Sequence, residues 1–258
     1  METENRDAGE YRIDAVATSF EVVRGVLELG TCGVRELAAH LDIPKSTVHV
    51  HLTTLEDLGY VINRQGTYQL SYRFLEIGGQ VRHQAEIYQV TRDEIDELAR
   101  ETGHVATAGI EENGYRVMLF RTEPSGSVFN NAPTGEYTRM HWTSVGKALL
   151  ATRSTEEVTS IVDRRGLPRA TKRTITEREK LHEELETIRE QGYAIEDEER
   201  VLGVKAVAVP IESDDDLPDA AISVAGPKHE LDPDRVHEEV LPALRNVANV
   251  VELRARHY

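Results

Sequence analysis

IPKSTVHVHLTTLEDLGY, residues 43–60, is the stretch whose reading decides the fold of the N-terminal part. Ile43 precedes Pro44 and is pushed out of the helical region, so one helix ends there and the next begins at Lys45 or Ser46. Val48, Leu52 and Leu55 recur at helical spacing to about Leu58, and Gly59 supplies a C-terminal stop. Upstream, Val34–Leu41 predicts a short helix with Leu37, Ala38 and Leu41 on one face. Before it, Asp14–Leu29 carries Ala15, Val16, Phe20, Val23, Val26 and Leu27 at helical spacing, and Gly30 and Gly33 bracket the break. Downstream, the alternating runs 60–63 and 68–70 are joined by Arg64-Gln65-Gly66 and predict a hairpin. Three helices, a tight turn between the last two and then a hairpin make a winged helix-turn-helix over residues 11–71. A helical oligomerisation module that ends in a hairpin is the alternative. Residues 1–10 hold almost nothing apolar and are expected to be a disordered tail.

Composition bounds the rest. A length of 258 residues favours two domains, and a hydrophobic share of 39% is enough for real cores. No window approaches eighteen apolar residues, and the polar start METENRDAGEYR is not a signal peptide. Cys32 stands alone, so there is no intrachain disulfide and no multi-cysteine metal site. A soluble, cytoplasmic protein is expected. Forty-six acidic residues face 30 basic ones, for a net charge of −16, and lysine occurs only at positions 45, 147, 172, 180, 205 and 228. Such acidity with so little lysine looks like adaptation to a salt-rich, halophilic cytoplasm, with an ordinary acidic protein as the other reading. Net negative charge argues against nucleic-acid binding. Residues 42–73, however, balance three acids (Asp42, Glu56, Asp57) with three bases (Lys45, Arg64, Arg73), so this segment is the least repelled by phosphate.

Past Tyr72 the pattern changes. Residues 74–103 are mostly helical and polar, as expected of a linker helix, giving a linker region 72–103 and a second domain 104–258. Strands are expected at 104–111, 115–123, 205–212 and 220–224, and helices at 144–152, 155–164 and 176–191. Residues 124–135 read as a loop and 213–218 as an acidic turn. The final helix, 233–256, carries Val236, Val240, Leu244, Val247 and Val251 on its apolar face. Strands and helices without strict alternation predict an α+β domain with a mostly antiparallel sheet.

No catalytic pattern is intact in this half. Gly146-Lys147 is followed by Ala148, and His141 stands where a phosphate-binding loop needs glycine. The ten histidines show no ligand-spaced pair, so no metal and no cofactor are expected. In so acidic a chain, Glu196–Glu199 reads as a solvated face.

Residues 43–60 resemble the recognition-helix signature of the IclR family of transcriptional regulators. The resemblance continues, in order, through HWTSVGKALLA (141–151), TKRTIT (171–176), LHEELETIREQGYAIEDEERVLGVKAVAVPI (181–211) and AAISVAGP (220–227). It covers about residues 12 to 255. It implies a winged-helix domain joined by a helix to a GAF-like effector-binding domain, working on double-stranded operator DNA as a homodimer or dimer of dimers, and not an enzyme.

In a helix-turn-helix the third helix enters the major groove, with its N-terminal residues at base edges and phosphates. Lys45, Ser46, Thr47, His49 and Val50 occupy that position. Lys45 suits a phosphate, and Thr47 and Val50 offer methyl groups to thymine. Ser46 either caps the helix or donates to phosphate. Many family members carry arginine where Val50 stands, so a charged contact is missing here. Arg64 on the wing and Arg35 at the start of the second helix are candidates for backbone contacts, and His51 reads as an interfacial histidine.

For the effector pocket, the resemblance implies Ser144, Val145, Glu196, Val204, Ala206, Ser223 and Ala225, with plain core residues of the sheet as the other reading. Ser144, Val145 and Gly146 at a helix start would offer backbone N–H groups to a carboxylate or phosphate, which favours an anionic metabolite. Ala206 and Ala225 replace cysteine and serine of many members, pointing to a larger or more apolar ligand, aromatic or sugar-derived. The competing functions are an enzyme with a DNA-binding appendage and a scaffold whose winged helix binds protein.

Overall fold

Val22 and Val26 of helix α1 (Asp14–Leu29), Leu37 and Ala38 of α2 (Val34–Leu41), and Val48 and Leu52 of α3 (Lys45–Asp57) meet in one core. The computed structural model describes residues 13–124, 132–211 and 219–255. It divides the chain into two compact units, Met1–Val81 and Arg82–Tyr258. The tail 1–10, the acidic turn 213–218 and most of the loop 124–135 lie outside the described residues.

In the first unit, Val61 and Tyr68 complete the core from the hairpin of β1 (Val61–Arg64) and β2 (Thr67–Leu70). The turn is only two residues, Gln65 and Gly66, at φ 56° and 87°. Positive φ at both positions gives the twist that antiparallel strands need, so Arg64 belongs to the strand. Cys32 pairs with Tyr68 as a one-residue antiparallel bridge, which no periodicity reveals because a single residue has no period. Of the six residues expected on the α1 stripe, only Val26 is buried and Val23 half-buried. Val16, Phe20 and Leu27 are 52%, 58% and 68% exposed, and Val22 and Gly25 are buried in their place. The helix carries two apolar stripes, and its own unit covers one of them.

Residues 74–103 are not one linker helix. Helix α4 (Arg73–Gln84) buries none of its side chains. The backbone then breaks at Ala85 (φ −75°, ψ 111°), and α5 (Glu86–Thr102) buries Ile87, Val90, Ile95, Leu98 and Ala99 in the core of the second unit. Average polarity concealed a one-sided apolar stripe on α5.

The second unit is built on a six-stranded sheet of β3 (Val105–Glu112), β4 (Tyr115–Thr122), β5 (Tyr137–Arg139), β6 (Ala194–Asp197), β7 (Val204–Ile211) and β8 (Ala220–Pro227). Its order is β5-β4-β3-β8-β7-β6, and every neighbouring pair is antiparallel. The short strands β5 and β6 were not anticipated. One sheet face packs on α5 and on a C-terminal helix made of α9 (Pro233–Arg235), a π turn (Val236–Val240) and α10 (Leu241–Ala255). The other face meets α6 (Ser144–Ala151), flanked by α7 (Thr155–Arg165) and α8 (Arg178–Gln191).

Alternation along the strands sorts the side chains. Val207, Val209, Ile222 and Val224 enter the α5–α10 core, whereas Ala208 and Ala221 pack toward α6. In β4 the alternation is interrupted. Met118 pairs with Gly109 and Phe120 with Ala108, so Leu119 has no partner and forms a bulge. Leu119 and Phe120 therefore both face α5, and Arg121 returns to the opposite face.

Candidate functional site

On the α6 side of the sheet, Ala206, Ala225, Ser223 and Thr107 are too small to fill the space beneath the start of α6. A cavity of about 550 Å³, counting its open mouth, results. Val105, Thr107, Arg116, Met118 and Arg121 line it from β3 and β4. Thr143, Ser144 and Val145 contribute from the start of α6, and Glu196, Arg200, Val201, Val204 and Ala206 from the β6–β7 hairpin. Ser223 and Ala225 of β8 complete the wall together with Ala132. Among the described residues the lining carries no cysteine, histidine or lysine.

Seven of the residues expected in a pocket, Ser144, Val145, Glu196, Val204, Ala206, Ser223 and Ala225, come together here. Gly146 does not. Its N–H donates to the Thr143 hydroxyl at 3.0 Å, so it is not free for a ligand. A Cβ at Gly146 would lie 2.1 Å from the Met140 carbonyl oxygen, so close packing, not anion binding, demands glycine. The reading of Glu196–Glu199 as a solvated face is also overturned. Glu196 and Glu199 are 5% and 7% exposed, because Ala194 and Glu196 of the edge strand β6 point to the α6 face of the sheet and Glu199 is drawn in by Lys147 of α6.

Sequence reasoning missed the three arginines. Arg116 shares the cavity face with Met118 by simple alternation, and Arg200 lies four residues after Glu196. Arg121 could not be found by alternation, since the bulge re-aims it. Arg116 is 4% exposed. Burial, with Arg200 beside it, pulls its guanidinium down to about 10. Arg116 Nη2 lies 3.4 Å from Glu136 and Arg200 Nη2 lies 2.6 Å from it, so one carboxylate serves two guanidiniums. The Arg116 Nε has no hydrogen-bond partner among the described residues. Glu196 accepts the Arg200 backbone N–H at 3.3 Å. Burial raises it to about 7, against the pull of Arg200 and with the help of Glu199. Thr107 and Ser223 share a hydroxyl hydrogen bond of 2.7 Å across β3 and β8.

The wall behind the cavity is held by buried charge. Lys147 is fully buried and its Nζ donates to Glu184 at 2.7 Å and to Glu199 at 2.6 Å. Burial still pushes the Glu199 carboxyl up, although Lys147 favours its ionised form. Thr171 and Thr174 of the threonine-rich segment donate to the carbonyls of Glu198 and Glu199, both at 2.6 Å, and so fix the hairpin that carries Arg200. His141 is held down to about 4 by burial and donates to the Pro168 carbonyl at 3.1 Å, a neutral structural histidine.

In the first unit, Lys45, Ser46, His49 and Val50 are exposed on α3 and Thr47 is half-buried, while Arg35 and Arg64 are exposed. Ser46 does not cap the helix. The cap position falls on Pro44, with no side-chain cap bond. Thr53, one turn beyond Val50, is exposed on the same stripe, and helical spacing alone would have included it. His51 Nδ1 bonds the Ser19 hydroxyl at 2.9 Å and ties α3 to α1, as an interfacial histidine should.

Comparison with known proteins agrees over nearly the whole chain. Residues 20–64 match the model of the IclR helix-turn-helix domain, and residues 79–253 that of the bacterial transcriptional regulator IclR C-terminal domain. The chain is 30% identical, over 98% of both sequences, to the "Probable HTH-type transcriptional regulator ArcR" of Halobacterium salinarum. It is 29% identical to the transcriptional repressor IclR of Escherichia coli, covering 81% of this chain and 78% of that one. The crystal structure of Thermotoga maritima IclR superimposes with a TM-score of 0.78 at 24% identity, covering 95% of this chain and 99% of that chain. An IclR homologue from Microbacterium hydrocarbonoxydans, complexed with 4-hydroxybenzoate, superimposes with a TM-score of 0.76 at 21% identity, covering 93% and 100%.

Proposed function

The chain belongs to the IclR family of DNA-binding transcriptional regulators with a C-terminal effector-binding domain, and we propose that its effector is a small carboxylate held in the arginine-lined cavity. One observation carries this. Arg116, Arg121 and Arg200 line a cavity whose other charged lining residue, among the described residues, is Glu196. Guanidinium is the group best suited to carboxylates, through paired N–H donors. The apolar part of the lining, Val105, Met118, Val145, Val201 and Val204, would take the body of an aromatic or sugar-derived acid. That the 4-hydroxybenzoate complex has this fold supports the choice of first probe.

DNA is read, in this proposal, by Lys45, Ser46, Thr47, His49 and Val50, with Arg35 and Arg64 on the backbone. A lone winged helix makes too few contacts for tight operator binding, so the working species is a homodimer or a pair of dimers. The curated relatives are named as regulators or repressors, which supports a regulator without catalytic activity. No helix among the described residues is long and apolar enough to cross a membrane. Action on operator DNA supports a cytoplasmic location, and sixteen surplus negative charges with six lysines support operation at high salt.

A thermal-shift comparison of 4-hydroxybenzoate with its neutral amide, 4-hydroxybenzamide, tests the effector class. The carboxylate is expected to raise Tm and the amide to leave it unchanged. Arg116→Ala and Arg200→Ala should each abolish the shift and any effector-dependent change in operator binding, while operator affinity without effector stays intact. Equal stabilisation by the amide, or variants that still respond, sinks the assignment.

A further inference from the structure

The charges around the cavity do not pair evenly. Arg116 and Arg200 both turn to Glu136. Glu196, in the cavity wall and 5% exposed, is left with a backbone N–H and no ion pair within 4.0 Å among the described residues. The groups that face it are few. Its own hairpin supplies Arg200 and Glu199, α6 supplies Lys147, and β4 supplies Arg116. Lys147 is committed to Glu184 and Glu199. On β7 its partner is the neutral Ala206, while Lys205 stands opposite Asp197. Arg121 lies 2.8 Å from Glu123 and adds no net charge.

The Arg116–Glu136–Arg200 group at the cavity therefore carries one positive charge, while Lys147 with its two carboxylates behind the wall carries one negative charge, whose outer member, Glu184, is 31% open to solvent. With Glu196 ionised, the positive charge is cancelled within the wall and a carboxylate would meet a second, unpaired carboxylate at short range. With Glu196 neutral, the surplus positive charge matches one carboxylate, and the Glu196 O–H can donate to it. Resting on the reading of this cavity as the effector site, we propose that it takes up a singly charged carboxylate together with one proton from solvent, which Glu196 holds. The Glu196 O–H bond forms as the bond to that proton in a hydronium ion or buffer acid breaks, and charge at the site balances as anion plus proton. Effector binding then weakens as pH rises, and a regulator of this build reports pH and metabolite jointly. The burial that already raises the Glu196 carboxyl to about 7 sets the range.

Calorimetric titration of the full chain with 4-hydroxybenzoate and with gluconate, at pH 6 and pH 8, tests this. Affinity should be about tenfold weaker at pH 8, as expected for a site that must gain a proton at a group titrating near neutrality. At pH 8 the binding heat should depend on the buffer's ionisation enthalpy with close to one proton taken up per ligand, and at pH 6 with almost none. Glu196→Gln should bind equally at both pH values without proton uptake. In the ligand-free chain, the ¹³C shift of the Glu196 carboxyl, identified by its loss in that variant, should titrate near neutrality. Binding without proton uptake at pH 8, or a carboxyl midpoint below 5, overturns the proposal and leaves the cavity reading standing. Failure of both carboxylates to bind at pH 6 overturns the cavity reading, and this proposal with it.

Discussion

Glu196 costs the fold stability by the same burial that suits it to its cavity. Its carboxyl is raised to about 7 in the folded chain, against about 4.3 in an unfolded one. Between those values the folded state holds a proton that the unfolded state has lost, so stability falls as pH rises through this window and is level above it. Glu196→Gln removes the titration. It should leave the protein near wild-type stability at pH 4 and make it more stable by about 3–4 kcal/mol at pH 8. Paired urea melts at the two pH values decide the matter, and an equal effect at both would show that Glu196 titrates normally.

At the scale of the element, α3 and α6 are the two helices to which the proposed function assigns DNA contact and effector binding, and each can be tested by one small change. For α3, Thr47→Ala should relax the preference among operator sequences by about 1–3 kcal/mol of discrimination if its methyl meets a base. Lys45→Ala should weaken all sequences alike and lower the salt slope, as a phosphate contact does. Gel shifts at matched salt separate the two, and wild-type behaviour in both variants removes α3 from the groove. For α6, the Cβ of Gly146→Ala would meet Met140 backbone at 2.1 Å and 2.6 Å, where no side-chain rotation relieves it. We expect a loss of about 3 kcal/mol, at the upper end of overpacking costs. The variant should also lose carboxylate binding, because the start of α6 must shift. A melting temperature unchanged from wild type would mean that the turn from Met140 to Trp142 yields more easily than its packing suggests.

The whole molecule has to convert an event in one unit into a change at the other, and the chain between them runs through α4 and α5. A ligand alters operator affinity only by binding two arrangements of the protein unequally, and the effect equals that difference. Pairing of chains, as proposed above, would give such arrangements. In the first unit Phe20 and Leu27 of α1 and Leu75, Ile77 and Val81 of α4 are all 44% exposed or more, an apolar surface that its own unit leaves uncovered. Light scattering at micromolar concentration should show a dimer or larger. Operator sites should lie about 10 bp, or a multiple, apart. A monomer both with and without operator DNA would contradict the assembly and leave the exposed residues without a role.

What the sequence determined by itself was whatever depends on local period and local stops. The bounds of α2 and α3, the hairpin, the apolar face of the C-terminal helix and most of the antiparallel sheet follow from spacing, glycine and proline. Ordered blocks of family resemblance added the seven cavity residues that periodicity could not have chosen. The tertiary structure alone decided where long-range packing overrides pattern. It assigned α5 to the second core, since a 17-residue helix of low mean hydropathy can still bury one stripe. It buried Glu196 and Glu199 in an acidic run that composition assigns to solvent, because burial is set by which strand pairs with which. It re-aimed Arg121 through a one-residue bulge visible only as a register between two strands. It took the Gly146 N–H away from any ligand, because Thr143 reaches it first. Charge in a cavity depends on which side chains converge from distant parts of the chain, and no local window contains that information.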